Sequence, residues 1–190
     1  MTLSERCEEK VVEISRLQLL PWYALHVRTR GECKLQQALS AKGYETFLPS
    51  YLEARRYSDR LKKVNAPLFP GYLFCRLDVN KRLPLLVTPG LHSIVGTLGV
   101  PQVVEEEEIL AIKRVVEAGI PAVPWPYLKA GDRVIVQYGS LKGVQGALVR
   151  DAHSDKLVLS IHLLQRSISL EIDRAWVKPL DLQKPQLGGE

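Results

Sequence analysis

A proline-rich segment past the middle of the chain limits how this sequence can fold. Pro121, Pro124 and Pro126 fall within residues 119–129. Because proline lacks a backbone N–H and has a fixed φ, it interrupts helices and central strands and favours an extended, semi-rigid chain. We therefore predict a linker at residues 119–129, with a separate domain on either side of it.

The residues before the linker alternate between strand and helix patterns. Strand-like runs cover residues 22–27, 44–52, 68–77 and 91–95, and helical patterns cover residues 31–43, 80–86 and 105–118. A basic stretch at 55–63 separates the second and third strands, which indicates a long hairpin with a charged tip. The order β-α-β-β-α-β predicts a ferredoxin-like, split βαβ domain at residues 21–118, preceded by an N-terminal extension at 1–20.

The residues after the linker contain short aliphatic runs divided by glycine and polar turns. These runs cover residues 133–137, 146–150, 156–161 and 168–172. Such spacing is typical of a small all-β barrel, which we place at residues 130–182, followed by a C-terminal tail at 183–190. The predicted fold class of the whole chain is therefore α+β.

Charge and cysteine content exclude several classes of protein. The formal net charge of +5 favours a polyanionic partner without requiring one. Cys7, Cys33 and Cys75 have no spacing typical of a disulfide framework or a zinc site, which fits a reducing cytoplasm. The glutamate-rich start does not resemble a signal peptide, and no run approaches the length of a membrane helix.

The sequence also lacks the residue patterns of an enzyme. His26, His92, His153 and His162 have neither metal-ligand spacing nor an evident nucleophile partner. The glutamates at 105–108 are explained by the positive end of a helix dipole. We find no paired carboxylates and no phosphate-binding glycine loop, so we predict no catalytic residue, no metal and no cofactor.

Four segments of the sequence carry a family resemblance. Glycines and valines at residues 131–149 resemble the KOW motif, which occurs in NusG-type transcription factors and in several ribosomal proteins. The run Pro67-Leu68-Phe69-Pro70-Gly71-Tyr72-Leu73-Phe74 closely resembles the signature strand of the NusG N-terminal (NGN) domain. Trp22-Tyr23 resembles the opening of that domain, and Thr88-Pro89-Gly90-Leu91 with Val95-Gly96 resembles its fourth strand. Both domains occur in the family's order, and the resemblance covers about residues 21 to 180.

The resemblance implies a monomeric factor that binds the clamp of the largest RNA polymerase subunit and favours processive elongation. The matching polymerase-binding positions are His26, Phe69, Pro70, Tyr72 and Phe74. Strand residues alternate between two faces, so some of these aromatic side chains must belong to the core. Among them we expect Phe69 to be an exposed interface anchor, because it lies beside a Pro-Gly pair at the start of a strand.

The resemblance also implies contacts with the DNA of the elongation complex, non-template or upstream, and with nascent RNA as a further candidate. The matching cations are Arg28, Arg30, Lys34, Arg55, Arg56, Arg60, Lys62 and Lys63. They would meet phosphates, although a basic run is often only a solvated face. No set of residues indicates the reading of specific bases.

The subtype rests on the hairpin and on one barrel loop. The hairpin is more similar to the specialised RfaH- and UpxY-type antiterminators, which implies a dedicated operon. In the barrel, Leu163-Leu164-Gln165-Arg166 stands where the general factor has a Phe-Gly-Arg loop that contacts Rho or a small-subunit ribosomal protein, and this departure also favours a specialised factor. Leu163, Leu164 and Arg166 are the matching candidates for a partner contact of the barrel. The alternatives are a general NusG elongation and termination factor and a ribosome-associated KOW RNA-binding protein.

Overall fold

The computed structural model describes residues 20–57, 60–127, 132–150 and 154–180, with all their side chains except those of residues 54–62. The predicted C-terminal tail and all but the last residue of the predicted N-terminal extension lie outside these ranges. Among the described residues, no helix combines the length and apolar character that a membrane span requires.

The N-terminal domain is built around an antiparallel sheet. Its elements are β1 (Trp22–Val27), α1 (Glu32–Ala41), β2 (Thr46–Phe47), β3 (Ser50–Tyr57), β4 (Arg60–Pro67), β5 (Tyr72–Arg76), α2 (Leu83–Leu86), β6 (Leu91–Ile94), β7 (Gly96–Thr97), β8 (Val100–Pro101), β9 (Val103–Val104) and α3 (Glu106–Glu117). The sheet order is β2-β5-β1-β6, and β9 pairs with the start of β1. This is the predicted ferredoxin-like arrangement.

A long hairpin leaves this sheet between β2 and β5. Strands β3 and β4 pair continuously from Ser50 opposite Pro67 to Tyr57 opposite Arg60. The sequence predicts a hairpin with a basic loop at its tip. In the structure, the basic residues belong to the two paired strands, which continue almost to the turn. Backbone pairing therefore extends through a segment whose composition alone indicates a loop.

The two faces of the sheet are closed by different elements. On one face, helix α1 places Leu35 and Leu39 against the sheet, in a group that we call the closed cluster: Tyr23, Leu25, Val27, Leu35, Leu39, Leu73, Cys75, Leu77 and Leu85. Alternation along β1 sends Trp22 and Ala24 to the opposite face, where helix α3 packs. The sheet is therefore covered by a helix on each side, and only the second face continues into another domain.

The C-terminal domain is a six-stranded antiparallel sheet of small size. Its strands are β10 (Ala122–Trp125), β11 (Asp132–Val136), β12 (Gln145–Arg150), β13 (Asp155–Ile161), β14 (Arg166–Glu171) and β15 (Val177–Pro179). The order is β10-β14-β13-β12-β11-β15. A Cβ added at Gly146 would lie 2.8 Å from the Val158 carbonyl oxygen, so glycine is needed for β12 to pair with β13.

The proline-rich segment differs from its prediction. The expected extended conformation is present at Ala122–Trp125, but these residues pair with β14 and form an edge strand of the second sheet. Pro124 lies opposite Ile168 in this pairing. Proline is tolerated on an edge strand because one side of that strand needs no hydrogen bonds. This part of the segment is therefore not a free spacer.

The cores of the two domains are continuous. We call this group the shared cluster: Trp22, Ala24, Leu68, Phe69, Phe74, Val104, Ile109, Ile112, Val115, Ala122, Val134, Val136, Leu141, Val144, Leu157, Leu159, Ile161, Ile168 and Leu170. The predicted amphipathic face of α3 supplies Ile109 and Ile112 to it, with Val115 buried and Val116 only partly buried. The barrel therefore packs on the face of the first sheet that α1 leaves uncovered.

Candidate functional site

A row of three rings crosses one end of the first sheet. Tyr72 on β5 is opposite His26 on β1 in the strand register. The His26 ring centroid lies 5.7 Å from that of Tyr72 and 5.3 Å from that of His92 on β6. Both histidines are exposed, and Tyr72 is partly buried. We call these three residues the ring row.

The turn before Tyr72 is fixed by a buried carboxylate. The Tyr72 N–H donates to the Phe69 carbonyl over 3.1 Å, and Gly71 adopts a φ of 83° between them. The Gly71 N–H donates to Glu32 Oε1 over 2.9 Å, and Glu32 is buried. Sequence reasoning missed Glu32, because an acidic residue in a first helical turn is already explained by the helix dipole.

The expectation that Phe69 is an exposed anchor is wrong. Phe69 is 1% exposed and Phe74 is 0% exposed, and their rings meet edge to face at 5.7 Å. The turn that Gly71 permits folds Phe69 back into the shared cluster, and Pro70 is exposed in its place. Of the five predicted polymerase-binding residues, only His26, Pro70 and Tyr72 thus reach the surface.

The barrel loop with the predicted partner-binding residues lies against this same face. The Arg166 guanidinium carbon is 5.9 Å from the centre of the Tyr72 ring, within the range of a cation–π contact. Leu163 and Leu164 are partly buried against the shared cluster. The structure therefore brings the predicted partner loop of the second domain next to the ring row of the first.

Polar contacts between α3 and the barrel form a second junction. Glu108 Oε1 accepts a hydrogen bond from the His162 backbone N–H over 3.2 Å and also contacts the His162 ring Nδ1. Arg114 Nη1 donates to the Lys142 carbonyl over 3.3 Å. Beside these contacts lies a cleft of about 620 Å³ with a mixed polar and apolar lining. Glu108 therefore contributes to domain packing in addition to its favourable place in the helix dipole.

The predicted basic residues fall into two groups on different elements. Arg28, Arg30 and Lys34 are exposed at the junction of β1 and α1. Arg30 adopts a φ of 63°, which is uncommon for a residue with a side chain. The second group lies on the β3–β4 hairpin, where Lys63 is exposed. The side chains of Arg55, Arg56, Arg60 and Lys62 lie outside the described part of the structure.

An ion network centred on the buried Arg76 lies at the other end of the sheet. Arg76 Nη2 is 2.5 Å from Glu106 Oε1, and Arg76 Nε is 3.2 Å from Glu45 Oε2 without the alignment of a hydrogen bond. The Arg76 guanidinium also lies 4.7 Å from the centre of the Trp22 ring. Burial, and secondarily the charge of Glu45, raise the pKa of the Cys75 thiol to about 12. Arg76 and Cys75 are buried, and Glu45 and Glu106 are partly exposed partners of Arg76, so we assign this network to the fold.

Within the described ranges, no group of three or more metal-ligating side chains comes together. The geometry thus defines a two-domain α+β protein with a partly covered candidate binding face and exposed cations beside it.

Comparison with known proteins shows which family has this architecture. Residues 20–113 match the family described as transcription termination factor NusG. The chain is 27% identical over 184 residues to a Deinococcus radiodurans protein named transcription termination/antitermination protein NusG, and the match covers 81% of this chain and 96% of that protein. The chain therefore belongs to the NusG family of transcription factors.

Two solved structures also match the chain at low identity. A Thermotoga maritima NusG structure described by its domain interaction covers 87% of this chain and 99% of its own, at 19% identity and a TM-score of 0.49. A structure of the MjSpt4:Spt5 complex covers 84% of this chain and 97% of its own, at 17% identity and a TM-score of 0.26. At these values neither likeness adds to the functional argument.

Proposed function

We propose that this chain binds RNA polymerase at the clamp of its largest subunit and promotes processive elongation and antitermination. The observation that carries the proposal is the ring row beside Pro70. It lies on the sheet that contains the signature strand, and the family match includes that strand. Aromatic rings that are partly exposed and held by regular strands are effective anchors for a protein partner. This activity belongs in the cytoplasm, and it requires no chemistry from the chain itself.

We further propose that the exposed cations contact phosphates of DNA in the elongation complex. Arg28, Arg30 and Lys34 support this because all three are exposed where α1 follows β1, the strand that carries His26. In the hairpin, Arg55 is opposite Lys62 in the backbone register. Like charges opposite one another disfavour a hairpin, and a bound anion would relieve the repulsion. Nascent RNA offers the same phosphate chemistry.

For the biological role, we propose an antiterminator dedicated to a specific operon. The support is the barrel loop, which reads Leu163-Leu164-Gln165-Arg166 and packs toward the first domain. Recruitment of Rho or of a small-subunit ribosomal protein through Leu163, Leu164 and Arg166 is a separate proposal, taken from the position of this loop in the general factor. A general elongation and termination role is the alternative, and the name of the Deinococcus radiodurans relative favours it. Mapping occupancy across the genome separates them, since uniform association with elongating polymerase would exclude the dedicated role.

The binding experiment measures the affinity of the full chain for an assembled elongation complex. Replacing Tyr72 with alanine removes the tyrosine ring at one end of the row, and we expect about a tenfold weaker complex or more. Tyr138→Ala is the matched control, because Tyr138 is an exposed tyrosine of the barrel. Retention of full affinity by Tyr72→Ala would place the polymerase contact elsewhere on the chain.

The same assay at increasing salt tests the phosphate contacts. If the five hairpin cations all meet phosphate, the log-log slope should include roughly −3.5 to −4.5 from them, a loss of about two to three orders of affinity between 50 and 200 mM salt. A variant with these five residues changed to glutamine should lose that part of the slope. An equal slope in the parent and the variant would exclude the hairpin from nucleic-acid binding.

A further inference from the structure

The hairpin after β6 has an unusual residue at its turn. Strands β7 and β8 are joined by Leu98 and Gly99, with φ values of 51° and 79°. A two-residue turn with both φ values positive is of type I′, which strongly prefers Asn-Gly or Asp-Gly. Leucine is a poor choice at the first position, because its side chain disfavours the left-handed region. We call residues 96–101 the apolar finger.

The side chain of Leu98 contributes nothing to the core. Leu98 is 99% exposed, Val100 is 65% exposed and Val103, just beyond the finger, is 49% exposed. The leucine is therefore unfavourable for the backbone and unfavourable for hydration at the same position. When a residue opposes local structure and gains no packing in return, a function outside the isolated fold is the better explanation.

The finger is held rigidly at a defined place. A Cβ added at Gly96 would lie 1.9 Å from the Val100 carbonyl oxygen, so only glycine permits this close pairing. At the base, the Gln102 N–H donates to the Val95 carbonyl over 3.1 Å. The finger follows β6, the strand that carries His92 of the ring row, after one intervening residue. Because β6 runs from the ring row toward Ala24 on β1, the finger lies farther along the same edge of the sheet. A partner that covers this edge beyond the ring row would therefore meet the finger.

The chemistry of the finger indicates what it contacts. Residues 91–104 include no lysine, arginine, aspartate or glutamate, in a chain where 25% of residues are charged. An element that binds nucleic acid or an anionic surface would present cations. A rigid, uncharged tip that ends in leucine is instead complementary to an apolar pocket on a protein.

We propose that Leu98 inserts into an apolar pocket of RNA polymerase, at a second contact separate from the ring row. This inference rests on the proposed function, because it takes the partner from it. It adds a residue, Leu98, that none of the family resemblances quoted above includes.

The test replaces Leu98 with asparagine and measures two quantities. Asn-Gly is the preferred dipeptide of this turn, so the melting temperature of Leu98→Asn should equal or exceed that of the parent. The apolar tip is lost, so the Kd for core RNA polymerase should rise about tenfold or more. A gain in fold stability with a loss of affinity cannot come from damage to the structure.

Leu83→Asn is the matched control, because Leu83 is 73% exposed on α2 of the same domain. We expect this variant to bind polymerase like the parent. Unchanged affinity in Leu98→Asn, or an equal loss in both variants, would overturn the finger contact and leave the proposed function intact. If the parent chain itself fails to bind polymerase, the proposed function fails, and the finger contact fails with it.

Discussion

The closed cluster and the shared cluster differ in what covers them. Helix α1 follows β1 directly in sequence and closes its face of the sheet with residues of the same domain. The opposite face is covered by α3 and by the barrel, so its core depends on contacts between residues far apart in sequence. The face with the candidate binding residues is thus the one whose cover includes a second domain. Its exposure depends on how firmly that domain is attached.

The largest expected effect is in the shared cluster. Replacing Phe74 with alanine removes a fully buried ring that contacts Phe69 and Phe47. The free energy of unfolding should fall by about 3–5 kcal/mol. Urea unfolding followed by tryptophan fluorescence and by circular dichroism measures it, and the two signals should coincide if the cluster is a single core.

Tyr72→Ala provides the comparison, because Tyr72 is two residues away on the same strand face but only partly buried. Its stability loss should be clearly smaller. If both variants lose the same stability, Phe74 is not the more important core residue, and the division between core and surface on β5 is wrong.

These residues also show where sequence reasoning ends. Strand periodicity correctly indicates that Tyr72 and Phe74 share a face, and helical spacing indicates that Ile109 and Ile112 face the core. Neither pattern shows how far α3 and the barrel extend over this face of the sheet, so the sequence did not predict the burial of Phe69. The Glu108–His162 contact joins residues 54 positions apart, and nothing in the sequence around either residue predicts that they meet.

A smaller effect is expected in the closed cluster at alkaline pH. Burial raises the pKa of the Cys75 thiol from 9.0 to about 12, so the folded chain keeps this proton while the unfolded chain releases it. Stability is therefore complete below pH 9 and falls as the pH rises toward 12. Between pH 9 and 11 this group should remove about 2–3 kcal/mol from the free energy of unfolding.

Urea unfolding of Cys75→Ala over the same pH range isolates this contribution. The variant should show a flatter pH dependence than the parent, because it lacks the thiol whose proton only the folded parent keeps. Burial, and secondarily the charge of Cys75, raise the pKa of Tyr44, so the smaller part of that shift is also lost in the variant. Cys33→Ala should keep the parent's slope, because Cys33 is exposed on α1. Identical slopes in all three proteins would mean that Cys75 is ionisable in the folded state.

The smallest effect is expected at the junction that attaches the barrel to α3. Glu108→Ala removes the acceptor of the His162 backbone N–H and the partner of its ring. Because the His162 side chain is largely exposed, the loss should be only about 0.5–1 kcal/mol. The informative measurement is the NMR spectrum, where the amide signals of His162 and Arg166 should shift while those of the closed cluster stay in place.

Glu107→Ala is the matched control, one position earlier on the same helix and exposed. It changes the charge of α3 equally but removes neither contact to His162. A response confined to Glu108→Ala would show that the contact between α3 and the barrel forms in solution. The shared cluster would then differ from the closed cluster in being covered partly through a contact between two domains. If neither variant shifts the barrel signals, the Glu108–His162 contact does not hold the barrel in solution. The attachment of the barrel to α3 would then depend on Arg114 and on the apolar residues of the shared cluster.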